Sequence, residues 1–314
     1  MIYVASSDGR LATRRARARN SYVAKRGNVF EANWTKKFLC DEIRTRTYYL
    51  SERDRFGQFR CLFRVPLKKV DDLVSIFLEK GWIPIGRATE TDEEFKLKAE
   101  LLIMSALNVL GHNSPFRSLQ SNTEINHERH RAFFHHFLTK MYSIRDEFIY
   151  LPRTPEELAE VMGPYTAKNV PGACGSVDVV HVKWSMCPAG DYNRCKGKEG
   201  YPTLAFEAIT DHSRRIMGIS SVQFGTRNDK HIVKLDAAVA TVRDGWYKTV
   251  AWNFYDCEGR LKTAIGVYLI CDGGYLRWPI LICPYQSAHL ATLEGYFCQT
   301  LRASAKTLNV FLEF

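Results

Sequence analysis

The chain has 314 residues, of which 46% are hydrophobic and 25% charged. This composition excludes a disordered chain and allows one large domain or two ordinary ones. No apolar run is long enough to span a bilayer, and the amino end lacks the apolar core of a secretory signal, so we expect an intracellular protein without a membrane partner. The net charge of +10 favours a polyanionic partner.

Nine cysteines are scattered along the chain without a C-x-x-C pair, which favours reduced thiols over a disulfide framework. Cys187 and Cys195 lie near His181 in the sequence. Their spacing is wider than that of most structural zinc ligands, so we do not predict a zinc site there.

The first segment, residues 1–58, is predicted to be a basic and largely disordered arm. Seven arginines and lysines lie between Arg10 and Arg26, and no acidic residue occurs between Asp8 and Glu31. Such a charge run repels itself and remains solvated. It is either a solubilising tail or a segment for nuclear import or phosphate contact.

Residues 59–165 are predicted to form a helical domain. A first helix is predicted after Pro66, where apolar residues take helical spacing. A second is predicted to begin at a capping box formed by Thr91 and Glu94 and to end at Gly111. A short third helix follows Pro115. A further helix, TPEELAEVM, begins at the Thr154 cap and is predicted to end at Gly163-Pro164.

The segment NHERHRAFFHHFLTKMY completes a layout that is typical of a helix-turn-helix. Phe133 and Phe137 mark its apolar face, while Arg129 and Lys140 are candidates for DNA contact. Its four histidines, including His130, are predicted to lie at the surface and edge of the helix. A helical bundle unrelated to DNA has the same pattern and stays open as an alternative.

Residues 166–314 are predicted to contain a sheet, because the hydrophobic period changes to that of strands. The predicted strands are CGSVDVVHVKW, TLAFEAIT, RIMGISSV and TAIGVYLICDGGY, with a hairpin turn at DHSRR. The last of these is apolar enough to be buried on both faces.

Two acids lie within or at the end of these apolar strands, Asp178 in GSVDVVHVKW and Asp272 in YLICDGGY. A carboxylate in such a setting is costly unless something compensates its charge. Each could be a structural Asp bonded to backbone, but together they are the ligand type that a hard divalent cation requires. Asp229, in FGTRNDKHIV, could approach the same site.

These motifs, in this order, resemble those of the PIF/Harbinger superfamily of DDE transposases, whose domesticated members are described as Harbinger-derived nucleases. The resemblance extends from about residue 59 to residue 284. It implies an α/β, RNase H-like mixed sheet flanked by helices, two divalent metal ions (Mg²⁺ or Mn²⁺), and attack on DNA phosphodiesters at transposon ends. It also implies that Asp178 and Asp272 are catalytic acids and metal ligands and that Asp229 is an accessory metal ligand.

Basic and imidazole side chains near the predicted acids are further candidates. Lys196 and Lys198, in the Gly-containing loop KGKEG, are expected to contact the DNA backbone, with an ordinary solvated loop as the alternative. His181 and Lys183 lie on the same predicted strand as Asp178 and are candidates for orienting the ligands, although packing or surface roles are equally open.

The family resemblance also implies partners and a compartment. A transposase of this kind joins two DNA ends, so we expect a homo-oligomer, and a Myb-like helper protein is a possible second partner. The expected compartment is the nucleus, with the cytoplasm as a second one.

The family's third acid is a glutamate on a helix within a stretch similar to ESVRKDVECVFGILK, where this chain reads LRASAKTLNVFLEF. Glu294 and Glu313 do not fit that position. With suitable synonymous codons, the bases encoding Leu301 to Phe314 spell ESVRKDVECVFGI when they are regrouped from the third codon position. We therefore expect a frameshift before Leu301 and, with one ligand lost, little strand cleavage by this chain.

Two other functions stay open. The first is a catalytically inactive DNA-binding protein derived from a transposase, which would bind DNA without nicking it. The second is a metal-dependent RNA nuclease on the same fold, which substrate preference would distinguish.

The frameshift hypothesis predicts a gain of activity. A chain in which ESVRKDVECVFGI replaces the residues from Leu301 onward should nick DNA about tenfold faster or more with Mg²⁺, because a third carboxylate then positions the metal. A plasmid-nicking assay measures this, with the second glutamate of the new segment changed to Gln as the control. Equal nicking by the original chain and by the chain with the new segment would refute the hypothesis. A nucleotide sequence that cannot encode the segment would refute it as well.

Overall fold

A computed structural model describes residues 27–54, 57–84, 90–256, 258–284 and 299–300. The chain divides into two compact units, one extending to Ser143 and the other beginning at Ile144. The sequence-based boundary at 165/166 therefore differs from the observed one. The difference arises because the helix before it buries Leu158 and Val161 in the core of the second unit, which periodicity alone does not reveal.

The first unit is helical. Its helices are α1 (Asp41–Arg53), α2 (Gln58–Phe63), α3 (Leu67–Glu79), α4 (Asp92–His112), α5 (Phe116–Thr123) and α6 (His127–Ser143). Within the described residues of the whole chain, no helix combines the length and the hydropathy that crossing a membrane requires.

Part of the predicted basic arm belongs to the core of the first unit. Trp34 and Phe38 are buried and pack edge-on against Phe63. Helix α1 follows directly, so the segment from Val29 to Arg53 is structured where a disordered arm was predicted. The apolar residues between the charges explain the difference, because burying them offsets the entropy lost on ordering. Residues 1–26, with the arginine run, lie outside the described residues.

The ends of helix α4 test the predicted caps. The Thr91 side chain accepts a hydrogen bond from the Glu94 backbone N–H at 3.1 Å, as predicted. The predicted end at Gly111 is wrong, because the helix continues to His112 and Asn113 takes the left-handed conformation with φ 52°. Asparagine tolerates that conformation better than most residues with a side chain.

Helices α4, α5 and α6 follow one another as the helix-turn-helix pattern predicts, and Phe133 and Phe137 are buried. The predicted surface position of His130 is wrong, because only 2% of this residue is exposed. Its Nε2 lies 2.8 Å from Thr123 Oγ1, which itself donates to the Leu119 carbonyl. Nε2–H is therefore the donor to Thr123, and Nδ1 is a buried atom without a hydrogen-bond partner.

The second unit combines helices with two sheets. Its helices are α7 (Pro155–Thr166), α8 (Tyr192–Cys195), α9 (Asp229–Leu235) and α10 (Ala237–Asp244). Its strands are β1 (Ala173–Lys183), β2 (Thr203–Thr210), β3 (Ile216–Ile219), β4 (Gln223–Phe224), β5 (Ala251–Tyr255), β6 (Leu261–Ile265), β7 (Tyr268–Ile270) and β8 (Leu281–Ile282).

The main sheet has the strand order β3-β2-β1-β7-β8, and β4 also pairs with β2. Strands β1, β2 and β3 are antiparallel neighbours, whereas β7 is parallel to β1 and β8 is parallel to β7. Helices α9 and α10 lie in sequence between the antiparallel and the parallel strands. The predicted fold class, an α/β RNase H-like mixed sheet flanked by helices, is confirmed.

Two sequence-based boundaries in this unit are wrong. The predicted strand TAIGVYLICDGGY is two strands, because Gly266 takes φ 89° and separates β6, in a two-stranded sheet with β5, from β7 in the main sheet. Helix α7 continues past Pro164 to Thr166. A proline near the last turn removes a single intrahelical hydrogen bond, which the packing of Tyr165 in the core outweighs.

Acid should destabilise the first unit through His130. Burial lowers the pKa of this side chain to about 4. The unfolded chain therefore binds the proton first, and the unfolding free energy should fall by about 3 kcal/mol as the pH drops from about 6.5 to about 4. Amide hydrogen exchange of α5 and α6 measures this loss. His130→Leu should flatten the dependence, and an equally steep dependence in that variant would contradict the assignment.

Candidate active site

Strands β1 and β7 position two of the predicted acids. In their parallel pairing Ser176 lies opposite Ile270. Asp178 and Asp272 are each two residues further along these neighbouring strands, so they emerge at the same edge of the sheet. Asp178 is half-buried within β1, and Asp272 is exposed just after β7.

Asp229 comes to the same edge from helix α9. The helix begins at Asp229 because the Asn228 side chain caps it, accepting a hydrogen bond from the His231 backbone N–H. A Cβ atom built on Gly274 would lie 2.8 Å from Asp229 Oδ2 and 3.0 Å from Asp272 Oδ1. The two carboxylates therefore approach one another across the space that the missing side chain of Gly274 leaves.

The electrostatics of Asp178 indicate that all three carboxylates are neighbours. Burial raises the pKa of Asp178 to about 6, and the negative charges of Asp272 and Asp229 add to this rise. The Val179 backbone N–H, which donates to Asp178 Oδ1 at 2.8 Å, and the charge of Lys198 act in the opposite direction. Bringing a divalent cation to these acids would relieve the repulsion between them.

The donor chemistry fits a hard cation, because carboxylate oxygens are the ligands that magnesium and manganese prefer. The present geometry is not a finished metal cage. Among the described residues, no group of three or more His, Cys, Asp or Glu side chains is already arranged to hold an ion. Glu294, Glu313 and the frameshift position at Leu308 and Asn309 lie outside the described residues.

A second acidic cluster adjoins the first and was not predicted from the sequence. Glu207 in β2 is fully buried beside Asp236 and Tyr275, both of which influence its pKa. Asp236 is also buried; its Oδ1 caps α10 by accepting from the Ala238 and Val239 N–H groups, while its Oδ2 has no partner. The Tyr275 hydroxyl is buried close to Glu207 and lowers its pKa.

Burial raises the pKa of Glu207 to about 8, and the negative charges of Asp236 and Asp229 add to the rise. Burial also raises the pKa of Tyr275, as do the charges of Glu207 and the three candidate ligands. Tyr275 therefore lies within electrostatic range of both clusters. The signal in the sequence was an acid in the middle of TLAFEAIT, the same signal that identified Asp178 in β1.

Of the predicted basic and imidazole residues, Lys198 and His181 lie within electrostatic range of the acids. Lys198 is exposed, and its charge lowers the pKa of His181, after the larger effect of burial. His181 Nδ1 lies 3.0 Å from Thr203 Oγ1. Lys183 and Lys196 lie over tyrosine rings, at 5.1 Å from the Tyr201 centroid and 5.8 Å from the Tyr192 centroid.

Arg129 and Lys140 lie in the first unit, on helix α6. Both are partly buried. The Lys140 ammonium lies 5.2 Å from the centroid of the Trp82 ring, a cation–π contact that orders the side chain. Their role in DNA binding stays a prediction.

A family model described as a plant transposon protein matches residues 149–309. The match includes all three candidate acids and the whole main sheet. No curated protein and no solved structure matches the chain.

Removing the charge of Glu207 should stabilise the second unit at alkaline pH. Its pKa in the folded state, about 8, lies above the ordinary value of 4.5, so stability falls as the pH rises between these values. Glu207→Gln keeps the shape and cannot ionise. Hydrogen exchange of the β2 amides should show the variant more stable than the parent by at least about 1 kcal/mol at pH 8 and less so at pH 5. A stability difference between variant and parent that is the same at pH 5 and pH 8 would show that it does not come from the charge of Glu207.

Proposed function

The chain belongs to the plant transposon protein family, and from this premise we propose that it is a divalent-metal-dependent DNA endonuclease of the PIF/Harbinger DDE transposase type. Its proposed reaction is cleavage of phosphodiesters at transposon ends. The observation that carries the proposal is the convergence of Asp178, Asp229 and Asp272 at one edge of the sheet.

Each acid has a distinct role in the proposal. Asp178, held by a strand and by the Val179 N–H, would be the central ligand of the metal ions. Asp272 and Asp229, whose carboxylates both lie next to Gly274, would be the other two ligands. When bound, the ions supply activation of water or a 3′ hydroxyl and stabilisation of the leaving oxygen.

Lysines next to the acids provide the proposed contacts to the DNA backbone. Lys198 lies close enough to Asp178 and His181 to shift their pKa values. A phosphate held there lies beside the carboxylates, which is where the reaction takes place. Lys196 and Lys183 extend the basic surface, while Arg129 and Lys140 are proposed contacts of the first unit.

Partners and compartment follow from the proposed reaction. Joining or excising two ends requires two active sites, so we propose that the protein acts as a homo-oligomer on DNA, with a Myb-like protein as a possible helper. The proposed compartment is the nucleus, where its substrate lies.

A second candidate is an inactive DNA-binding protein of transposase descent. The observation that favours it is that the described part of the chain holds no ready group of three metal-binding side chains. Such a protein would retain the basic surfaces and bind DNA without cutting it.

Metal binding and DNA nicking distinguish the two candidates. Mn²⁺ binding, measured by calorimetry, and Mn²⁺-dependent nicking of a terminal-repeat DNA should both depend on Asp178 and Asp272. In the chain that carries ESVRKDVECVFGI from position 301, Asp178→Asn and Asp272→Asn should each reduce nicking by roughly a hundredfold or more, since a metal ion contributes several kcal/mol of stabilisation to the transition state.

The glycine between the acids allows a matched control that leaves the charges unchanged. Gly274→Ala should weaken Mn²⁺ binding by displacing Asp229 and Asp272, whereas Gly190→Ala, at a position with open space around it, should not. DNA retention in a gel shift with no metal binding and no nicking would establish the inactive protein instead.

A further inference from the structure

Two cysteines lie side by side where the parallel strands β7 and β8 end. The register pairs Leu269 with Leu281 and Ile270 with Ile282, so Cys271 and Cys283 are the next pair in line. The Cys271 backbone N–H donates to the Ile282 carbonyl at 3.1 Å, which continues the ladder beyond the strands. Their sulfur atoms are 3.0 Å apart, and both are free thiols.

This geometry is compatible with a covalent bond between the sulfurs. Neighbouring strands lie about 4.8 Å apart, which is within the range of Cα separations that disulfides span. The sulfurs already point at each other, so a bond needs little movement of the backbone. A contact that merely fills the core would not require two sulfurs to face one another across the ladder.

The two thiols differ in access to solvent. Cys271 is 1% exposed, whereas Cys283 is partly exposed. A reagent in solution therefore reaches the sulfur of Cys283 first. The sulfur of Cys271 is inaccessible to such a reagent but lies in contact with Cys283. One accessible thiol beside one protected thiol is the arrangement in which a first adduct is resolved within the protein.

We propose that Cys271 and Cys283 are a reversible modification site, a dithiol that reacts with a small-molecule disulfide such as glutathione disulfide. The Cys283 sulfur attacks one sulfur of the reagent, forming a mixed disulfide and releasing one glutathione thiol. The Cys271 sulfur then attacks the Cys283 sulfur and displaces the second glutathione. Two protons and two electrons leave the protein, and the reagent is reduced to two thiols.

The bond would join the ends of β7 and β8 directly before Asp272. The proposal concerns the thiols alone, so it does not rest on the nuclease assignment, and an inactive protein could carry the same pair.

The test uses the full chain, reduced and then equilibrated with mixtures of reduced and oxidised glutathione. Trypsin cleaves after Arg277, between the two cysteines, so the peptides carrying them stay joined only by a disulfide, and fragmentation of the joined pair distinguishes Cys283 from Cys298, which lies in the same peptide. The expected result is a loss of two hydrogens in mass and a joined peptide pair that dithiothreitol separates.

Single variants give opposite results if the order of attack is right. Cys271→Ser should accumulate a stable glutathione adduct on Cys283, since nothing resolves it, whereas Cys283→Ser should leave Cys271 unmodified. Cys61→Ser, which changes an exposed cysteine of the first unit, should leave the joined pair unchanged. A disulfide mapped to another pair, such as Cys187 with Cys195, or two thiols that remain reduced in the native chain at every glutathione ratio, would overturn the proposal.

Discussion

The parallel pairing of β1 with β7 is the contact on which the candidate active site depends. The two strands are far apart in sequence, and burial brings them together: β1 is buried from Ala173 to Val177, and Leu269 and Ile270 in β7 are fully buried. In each strand the first acid comes where this burial ends. The same apolar residues that stabilise the sheet thus determine where the carboxylates emerge, and a one-residue slip between the strands would separate Asp178 from Asp272.

Repulsion between like charges is the price of this arrangement. Burial raises the pKa of Asp178, and the charges of Asp272 and Asp229 raise it further against the opposing charge of Lys198. Glu207 and Asp236 place two more carboxyl groups within electrostatic range, with Glu207 deeper in the core. A protein without a use for a cation would be more stable with apolar residues at these positions. The concentration of acids, some without hydrogen-bond partners, is therefore typical of a functional site more than of a structural one.

Local rules in the sequence predict most of the elements. The Thr91 cap, the helical period of α3 and the short apolar run of β2 predict their elements without knowledge of the fold. The failures occur where tertiary packing decides. The sequence predicts His130 at the surface of a basic helix, because nothing in it shows that Thr123 lies beside this side chain. Gly266 is a single small residue in an apolar run, and the sequence does not show that the strand ends there. Glu207 carries the same sequence signal as Asp178, an acid within an apolar strand, but only the fold shows that it lies close to Asp236.

In the proposed function, the charge distribution determines how a DNA strand would reach the acids. The net charge of +10 attracts a polyanion, but the candidate ligands themselves repel phosphate. Lys198 can attract phosphate close to the acids, because it is exposed to the solvent and yet close enough to Asp178 to lower the pKa of that carboxyl group. A phosphate that pairs with this lysine would gain attraction from the ammonium while it stays beside the carboxylates, where only a cation can offset the remaining repulsion. Metal and DNA would then each favour the binding of the other, because each neutralises the charge that opposes its counterpart.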